Sequence, residues 1–345
     1  MPQKADIDLI SLIPIELESV PMPEDVAELL ADNSIELEPG DSEKMGKFLA
    51  MLLIANDSMN LTAVIDPATG WRRHIADALM LLPTIASFEP AEFVDADADP
   101  DVVLAALKRD PADAETRIMK LVDVGTGGGL PGIPLAIALP DVHVTLMEAT
   151  GKKVQFLRLV KKRLALKNVD VVHIRAEAAG QDHKNHRERY DIAVARAVGS
   201  LAVLVELVGP LVKVGGLMLA VKGEKAEEEV TLAAEAIEKI GLAVDRVLPT
   251  PTSRLVLLPK VSRTPRTYPR RDGEPSRVPI GIKREDKEDR DSRKTLEHRE
   301  KSYGGDGPPR DGTPRGARPG GGGIGGGPFG EGRYKNPPGS GGPSH

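Results

Sequence analysis

Residues 120–135 read K-L-V-D-V-G-T-G-G-G-L-P-G-I-P-L. Leu121 to Val124 is a short apolar run suited to a buried strand. Gly125, Gly127 and Gly129 let the backbone turn sharply with no side chain in the way. Ile133 to Leu139 then resumes an apolar pattern that opens a helix. Strand, glycine turn and helix is how an α/β sheet presents backbone N–H groups to a nucleotide-like ligand at its strand ends. Two ligand classes fit. Gly127, Gly129 and Gly132 satisfy the G-x-G-x-x-G of a dinucleotide site. Asp123 with Gly125, Gly127 and Gly129 satisfies the acidic residue followed by G-x-G-x-G of an S-adenosylmethionine site. Asp123 favours the second, because a carboxylate beside the loop suits a ligand carrying an ammonium and a sulfonium and suits a pyrophosphate poorly.

Outward from this stretch the pattern alternates strand and helix. Strands are expected at about 121–124, 142–147, 169–174, 191–195, 217–221, 243–248 and 254–258, and helices at about 133–139, 151–166, 200–212 and 224–240. Strands separated by such helices build a parallel sheet covered on both faces. Gly215-Gly216 marks the turn into the fifth strand. Pro249-Thr250-Pro251 joins the last two strands and is too short for a crossover, so they should pair antiparallel.

Before the sheet, residues 1–22 form an arm without clear periodicity, read as able to stay disordered. Residues 23–93 form an N-terminal helical region with helices over Pro23–Leu30, Asp41–Asn56 and about Pro67–Leu82. In the second, Met45, Leu49, Leu52 and Leu53 fall on one face. Residues 94–116 are an acidic insertion. Its Asp95-x-Asp97-x-Asp99 run resembles the start of a calcium loop, but the sixth and twelfth positions, which need Gly and Glu, hold Pro100 and Ala106. No metal site is expected. Residues 117–282 hold the sheet, and 283–345 form a basic tail; from Gly304 on, 25 of 42 residues are Gly or Pro, too many to bury a core.

Charge is uneven along the 345 residues. The whole chain has 46 Lys+Arg against 52 Asp+Glu, yet from Pro259 onward there are 19 against 12, which points to an anionic partner met through the C-terminal part. The chain has no cysteine, which removes disulfides, thiolate metal sites and iron–sulfur radical chemistry. With no run of 18 apolar residues and no basic-then-apolar leader, a soluble cytoplasmic protein without a membrane partner is expected.

Glu148 ends the second strand, where an acid accepts hydrogen bonds from the ribose hydroxyls of a nucleoside ligand. Glu177 follows the third strand, where the chain would pass an adenine, and Arg196 ends the fourth, facing the cleft. His74 and Asp77 lie three residues apart on one helical face, as a general base with its partner or as a structural orienting pair. His183 and His186 have metal-like spacing but no third ligand nearby and fall to a solvated loop.

The glycine stretch occurs together with Asn60-Leu61-Thr62, His74-Ile-Ala-Asp77, Arg175-Ala-Glu177 and Tyr268-Pro-Arg-Arg-Asp-Gly-Glu-Pro275. In this order the motifs resemble the bacterial ribosomal RNA small subunit methyltransferase G family, formerly glucose-inhibited division protein B, over roughly residues 41–282. The resemblance implies a Rossmann-like class I S-adenosylmethionine-dependent methyltransferase sheet beside the N-terminal helical bundle. It implies methyl transfer to N7 of a guanine in 16S rRNA, free or in a small-subunit precursor particle, by a protein expected to be a monomer. Carried over residue by residue, cofactor contacts fall on Asp123, Gly125, Gly127, Leu130, Glu148, Ala149, Thr150, Ala176, Glu177 and Arg196. RNA contacts are expected from Tyr268, Arg270, Arg271 and Arg277, since arginines meet phosphates and a tyrosine can stack on a base. The family usually has Ser where this chain has Ala78. Guanine N7 already exposes a lone pair, so no residue needs to act as base, and no catalytic residue is assigned beyond the candidate pair His74 and Asp77. An RNA-binding protein that keeps the fold without activity, and an NAD-dependent dehydrogenase, are the alternatives.

Overall fold

A computed structural model of the chain describes residues 12–88, 118–196 and 199–282. The acidic insertion at 94–116 and the tail from 283 lie outside the described residues. Contacts divide the chain into Met1–Asp289 and Arg290–His345, and all described residues belong to the first unit.

The sheet has seven strands: β1 Lys120–Val124, β2 His143–Glu148, β3 Val169–His173, β4 Tyr190–Arg196, β5 Val212–Lys222, β6 Arg246–Pro249 and β7 Arg254–Pro259. Their order is β3-β2-β1-β4-β5-β7-β6. Pairing is parallel from β3 to β5, while β7 runs antiparallel to both β5 and β6, as the short Pro249-Thr-Pro link required. This is the Rossmann-like methyltransferase sheet.

Alternation along each strand divides the core in two. Leu217, Leu219, Val221, Leu255 and Leu257 enter one cluster, with helices Gly132–Ala138 and Gly151–Arg163 and the N-terminal helices. Met218, Ala220, Val256 and Leu258 enter the other, with helices Leu201–Val208, Ala226–Leu232 and Ala234–Ile240.

Four expected elements differ in detail. Helix 200–212 ends at Val208 because Gly209-Pro210 interrupts it, leaving a 3-10 turn over Gly209–Leu211. The strand that follows starts at Val212, so Gly215-Gly216 lies inside β5 as an irregularity rather than before it. A Cβ on Gly216 would sit 2.7 Å from the Asp191 carbonyl, so only glycine lets the two strands approach here. The helix expected over 67–82 is broken into Pro67–Gly70, a π-helical turn Trp71–Ala76 and Asp77–Leu79. The expected helix 224–240 is two helices separated at Ala233.

The N-terminal arm is packed from Leu12 on. Ile13 is buried, the Trp71 indole N–H donates to the Val20 carbonyl at 3.1 Å, and the Arg163 guanidinium donates to the Ile13 and Pro14 carbonyls. Two backbone carbonyls gripped by one guanidinium had no signal in the arm's own composition.

Candidate active site

The strand order reverses between β1 and β4, which are neighbours in the sheet. A crevice opens at the carboxyl ends of strands at such a point. Asp123, Glu148 and Arg196 all stand at or near those ends.

The glycine turn is held by β2 on one side and by Asp123 beneath. Gly125 and Thr126 donate their N–H groups to the Met147 carbonyl at 2.9 and 3.1 Å. Gly125, Gly127 and Gly129 all have positive φ (69°, 60° and 96°), a conformation that side chains resist. The Asp123 carboxylate lies fully inside, not beside the loop as expected from its charge. Its Oδ2 accepts the Thr126 hydroxyl at 2.6 Å and the Gly132 N–H at 2.8 Å, while Oδ1 has no partner among the described residues. Burial pushes this carboxyl up to about 6, against the two hydrogen bonds and the nearby Arg196 charge. Its visible work is to shape the turn.

Glu148 closes the loop from above. One carboxylate oxygen accepts the Gly127 N–H at 3.0 Å and the other the Thr150 N–H at 2.8 Å. Each oxygen keeps a further lone pair for a hydroxyl. Ala149 and Thr150 are exposed beside it. Leu130 sends its side chain into the first core.

Glu177, at the start of helix Ala176–Gln181, turns toward the C-terminal segment. Its Oε1 accepts Arg175 at 3.0 Å and the Gly273 N–H at 2.9 Å. Burial opposes its ionisation, yet the bonds from Gly273 and Arg175 hold the carboxyl below its ordinary range. A cleft of about 500 Å³ runs between this helix and residues 267–274. A larger one of about 960 Å³ lies at the other end of the strands, beside Val142, His143 and Asn168, away from this chemistry.

His74 and Asp77 make no hydrogen bond to each other among the described residues. The His74 Nε2 meets the Thr62 hydroxyl at 2.6 Å, and its Nδ1 is buried with no hydrogen-bond partner among the described residues. Burial, together with the Arg196 charge, lowers its pKa, so the imidazole is neutral near pH 7. Asp77 instead takes Arg196 at 3.1 Å and the Thr252 hydroxyl at 2.5 Å. A helical repeat puts both residues on the same side but does not say which partner reaches each first. His186 also departs from expectation: it is half-buried, stacked on Tyr190 with its Nδ1 2.8 Å from the phenol oxygen.

The C-terminal arginines split into two groups. Arg270 is not available to a phosphate, because its Nε and Nη2 donate to the two oxygens of the fully buried Glu206 at 2.9 and 2.6 Å. Arg271 and Arg277 are exposed, as are Arg263 and Arg266, which the sequence reading passed over. Tyr268 is half-buried against the second core. Arg187, also unanticipated, is buried and donates to the carbonyls of Gly180, Thr264, Pro265 and Tyr268. No group of acidic or histidine residues able to hold a metal occurs among the described residues, and none of their helices is long and apolar enough to cross a membrane.

A seven-stranded α/β sheet with an antiparallel last hairpin, a glycine turn at its reversal point and an acid at the next strand end define a protein of the Rossmann-like methyltransferase class. The family described as rRNA small subunit methyltransferase G, GidB, matches residues 102–254. A ribosomal RNA small subunit methyltransferase G from Sorangium cellulosum is 39% identical over 249 residues, 72% of this chain and 92% of that protein. Those of Alkaliphilus oremlandii and Ligilactobacillus salivarius are 36% and 31% identical, over 72% and 75% of this chain and 94% and 99% of their own lengths. The chain belongs to the ribosomal RNA small subunit methyltransferase G family. Among solved structures, a SAM-dependent methyltransferase from Aquifex aeolicus aligns with 48% of this chain and 100% of its own at a TM-score of 0.34 and 16% identity.

Proposed function

We propose that the chain transfers a methyl group from S-adenosylmethionine to N7 of a guanine in 16S rRNA. The relatives' shared name gives small-subunit ribosomal RNA as what they act on, and membership of their family carries that substrate class here. The observation that supports the cofactor most directly is the Glu148 carboxylate fixed by the Gly127 and Thr150 N–H groups. Held there, it offers its remaining lone pairs to a ribose. The space above Gly127 fits the same ligand: a Cβ there would meet only the Gly125 carbonyl, at 3.9 Å.

Bound there, S-adenosylmethionine supplies an electrophilic methyl group. The residues of this chain then hold the base and exclude water, since N7 needs no deprotonation. His74 is buried with its Nε2 already engaged by the Thr62 hydroxyl, which agrees with a site that needs no base. The exposed Arg263, Arg266, Arg271 and Arg277 supply phosphate contacts. Work on ribosomal RNA supports a cytoplasmic place of action.

The test is to map N7-methylguanosine in 16S rRNA from cells with and without the gene, and to repeat the reaction with purified protein on naked rRNA and on small-subunit particles. Loss of one N7 mark on deletion, restored by the purified chain, is the expected result. An unchanged pattern overturns the assignment. Titration with S-adenosylhomocysteine and NAD separates this reading from a dehydrogenase, which would bind only the latter.

A further inference from the structure

The carboxylate of Asp77 joins three segments far apart in sequence. Its Oδ2 accepts from the Arg196 Nη1 at 3.1 Å, across 119 residues, and its Oδ1 from the Thr252 hydroxyl at 2.5 Å, across 175 residues. Asp77 itself follows the π-helical turn Trp71–Ala76 of the N-terminal region. Arg196 ends β4 at the reversal point, and Thr252 lies in the turn between β6 and β7. The side chains of Asp77 and Arg196 are 9% and 17% exposed, so the joint is largely closed to water.

The division of the Arg196 donors is informative. Both hydrogen bonds it makes use Nη1, one to Asp77 and one to the Arg73 carbonyl at 3.1 Å. Nε and Nη2 have no acceptor among the described residues. A guanidinium carries five N–H donors in a rigid plane, so gripping it through one nitrogen fixes the direction of the other two. Its charge also acts on two buried groups of the crevice, lowering the pKa of His74 and opposing the rise at Asp123.

We infer that Asp77 is a positioning residue, which holds Arg196 by one nitrogen so that the remaining face of the guanidinium is presented to the crevice, with Thr252 fixing the carboxylate from behind. A closed ion pair adds little net stability once desolvation is counted, so stability alone is a weak reason for such a joint. Holding a cation in one orientation at a site is what it can do. The inference rests on the proposed reading that this crevice takes S-adenosylmethionine.

The test uses the full chain, with calorimetric titration of S-adenosylhomocysteine and thermal melting on each variant. Asp77→Asn should weaken the ligand by about tenfold or more, and Arg196→Gln by a similar factor. The double variant should lose no more than Arg196→Gln alone, because the two residues act through one contact. Thr252→Val should show a smaller loss and Thr252→Ser recover the unaltered affinity, which a merely structural effect of altered packing would not do. A folded Asp77→Asn chain with unchanged affinity, or losses that add in the double variant, overturns the inference. If Asp77→Asn fails to fold, the Thr252 pair decides in the same way. An unaltered chain that does not bind the ligand overturns the cofactor reading first, and the inference with it.

Discussion

Glu206, fully buried in helix Leu201–Val208, receives the Arg270 guanidinium at 2.6 Å from a segment 64 residues further on. The same carboxylate accepts the Arg270 backbone N–H at 2.9 Å. Arg270→Ala would therefore strand a charge inside the second core, at a cost of about 3–5 kcal/mol. The expected outcome is a marked fall in melting temperature, whereas Arg271→Ala melts like the unaltered chain. A chemical denaturation series on the two variants checks this.

RNA affinity should divide the other way. Arg271→Ala and Arg277→Ala each remove an exposed charge, and each should lower the slope of log affinity against log salt by about one. Filter binding to 16S rRNA fragments at several salt concentrations measures this. An unchanged slope in the double variant would place the RNA on another face.

Gly127→Ala should leave the fold intact and cut S-adenosylhomocysteine affinity about tenfold or more. The new methyl group meets no neighbour closer than 3.9 Å, so the loss comes from the 60° φ and from intrusion into the open crevice. Circular dichroism alongside calorimetry separates misfolding from lost binding.

Two buried groups give opposite pH signatures. Burial pushes Asp123 from 3.8 up to about 6, so the folded chain holds more protons than the unfolded one between those values. Stability due to this group is present below about pH 4 and lost as pH rises toward about 6. Burial lowers Lys260 from 10.5 to about 7, so there the unfolded chain holds more protons and stability rises from about pH 7 to about pH 10. Compared with Asp123→Asn, the unaltered chain should lose stability over the acidic window. Compared with Lys260→Met, it should gain over the alkaline one. Urea midpoints across both windows test the two signs.

His74→Asn should keep substantial turnover, within about tenfold, because N7 has no proton to give up and the imidazole is already engaged by the Thr62 hydroxyl. The pH–rate curve of the unaltered protein should show no limb that this substitution removes. Complete loss of turnover with ligand binding intact would make His74 part of the chemistry.

The sheet was legible because its cause is local. Glycines at 125, 127 and 129 and the unbroken apolar runs Leu217–Val221 and Leu255–Leu258 leave few other arrangements, and the two-proline link dictated the antiparallel hairpin. What stayed hidden depends on partners distant in sequence. Nothing near Arg270 distinguishes it from Arg271, since the residue that claims it is Glu206. His74 and Asp77 share a helical face, but Thr62, Arg196 and Thr252 decide what each does. Charge type suggested an Asp123 carboxylate beside the loop; only the packing of the turn shows that it lies under it.

The grip of Arg187 on four carbonyls of residues 180–268 and of Arg270 on Glu206 bears on the order of events during synthesis. A chain grows from its N-terminus, so Glu206 leaves the ribosome well before the cation that neutralises it. Until residue 270 has emerged, burying Glu206 as a carboxylate would leave its charge without the Arg270 partner it has in the folded chain. The first face, which needs no residue beyond the last hairpin, can close earlier. The second layer thus waits for Arg270 to be made, while the first needs nothing beyond Leu257.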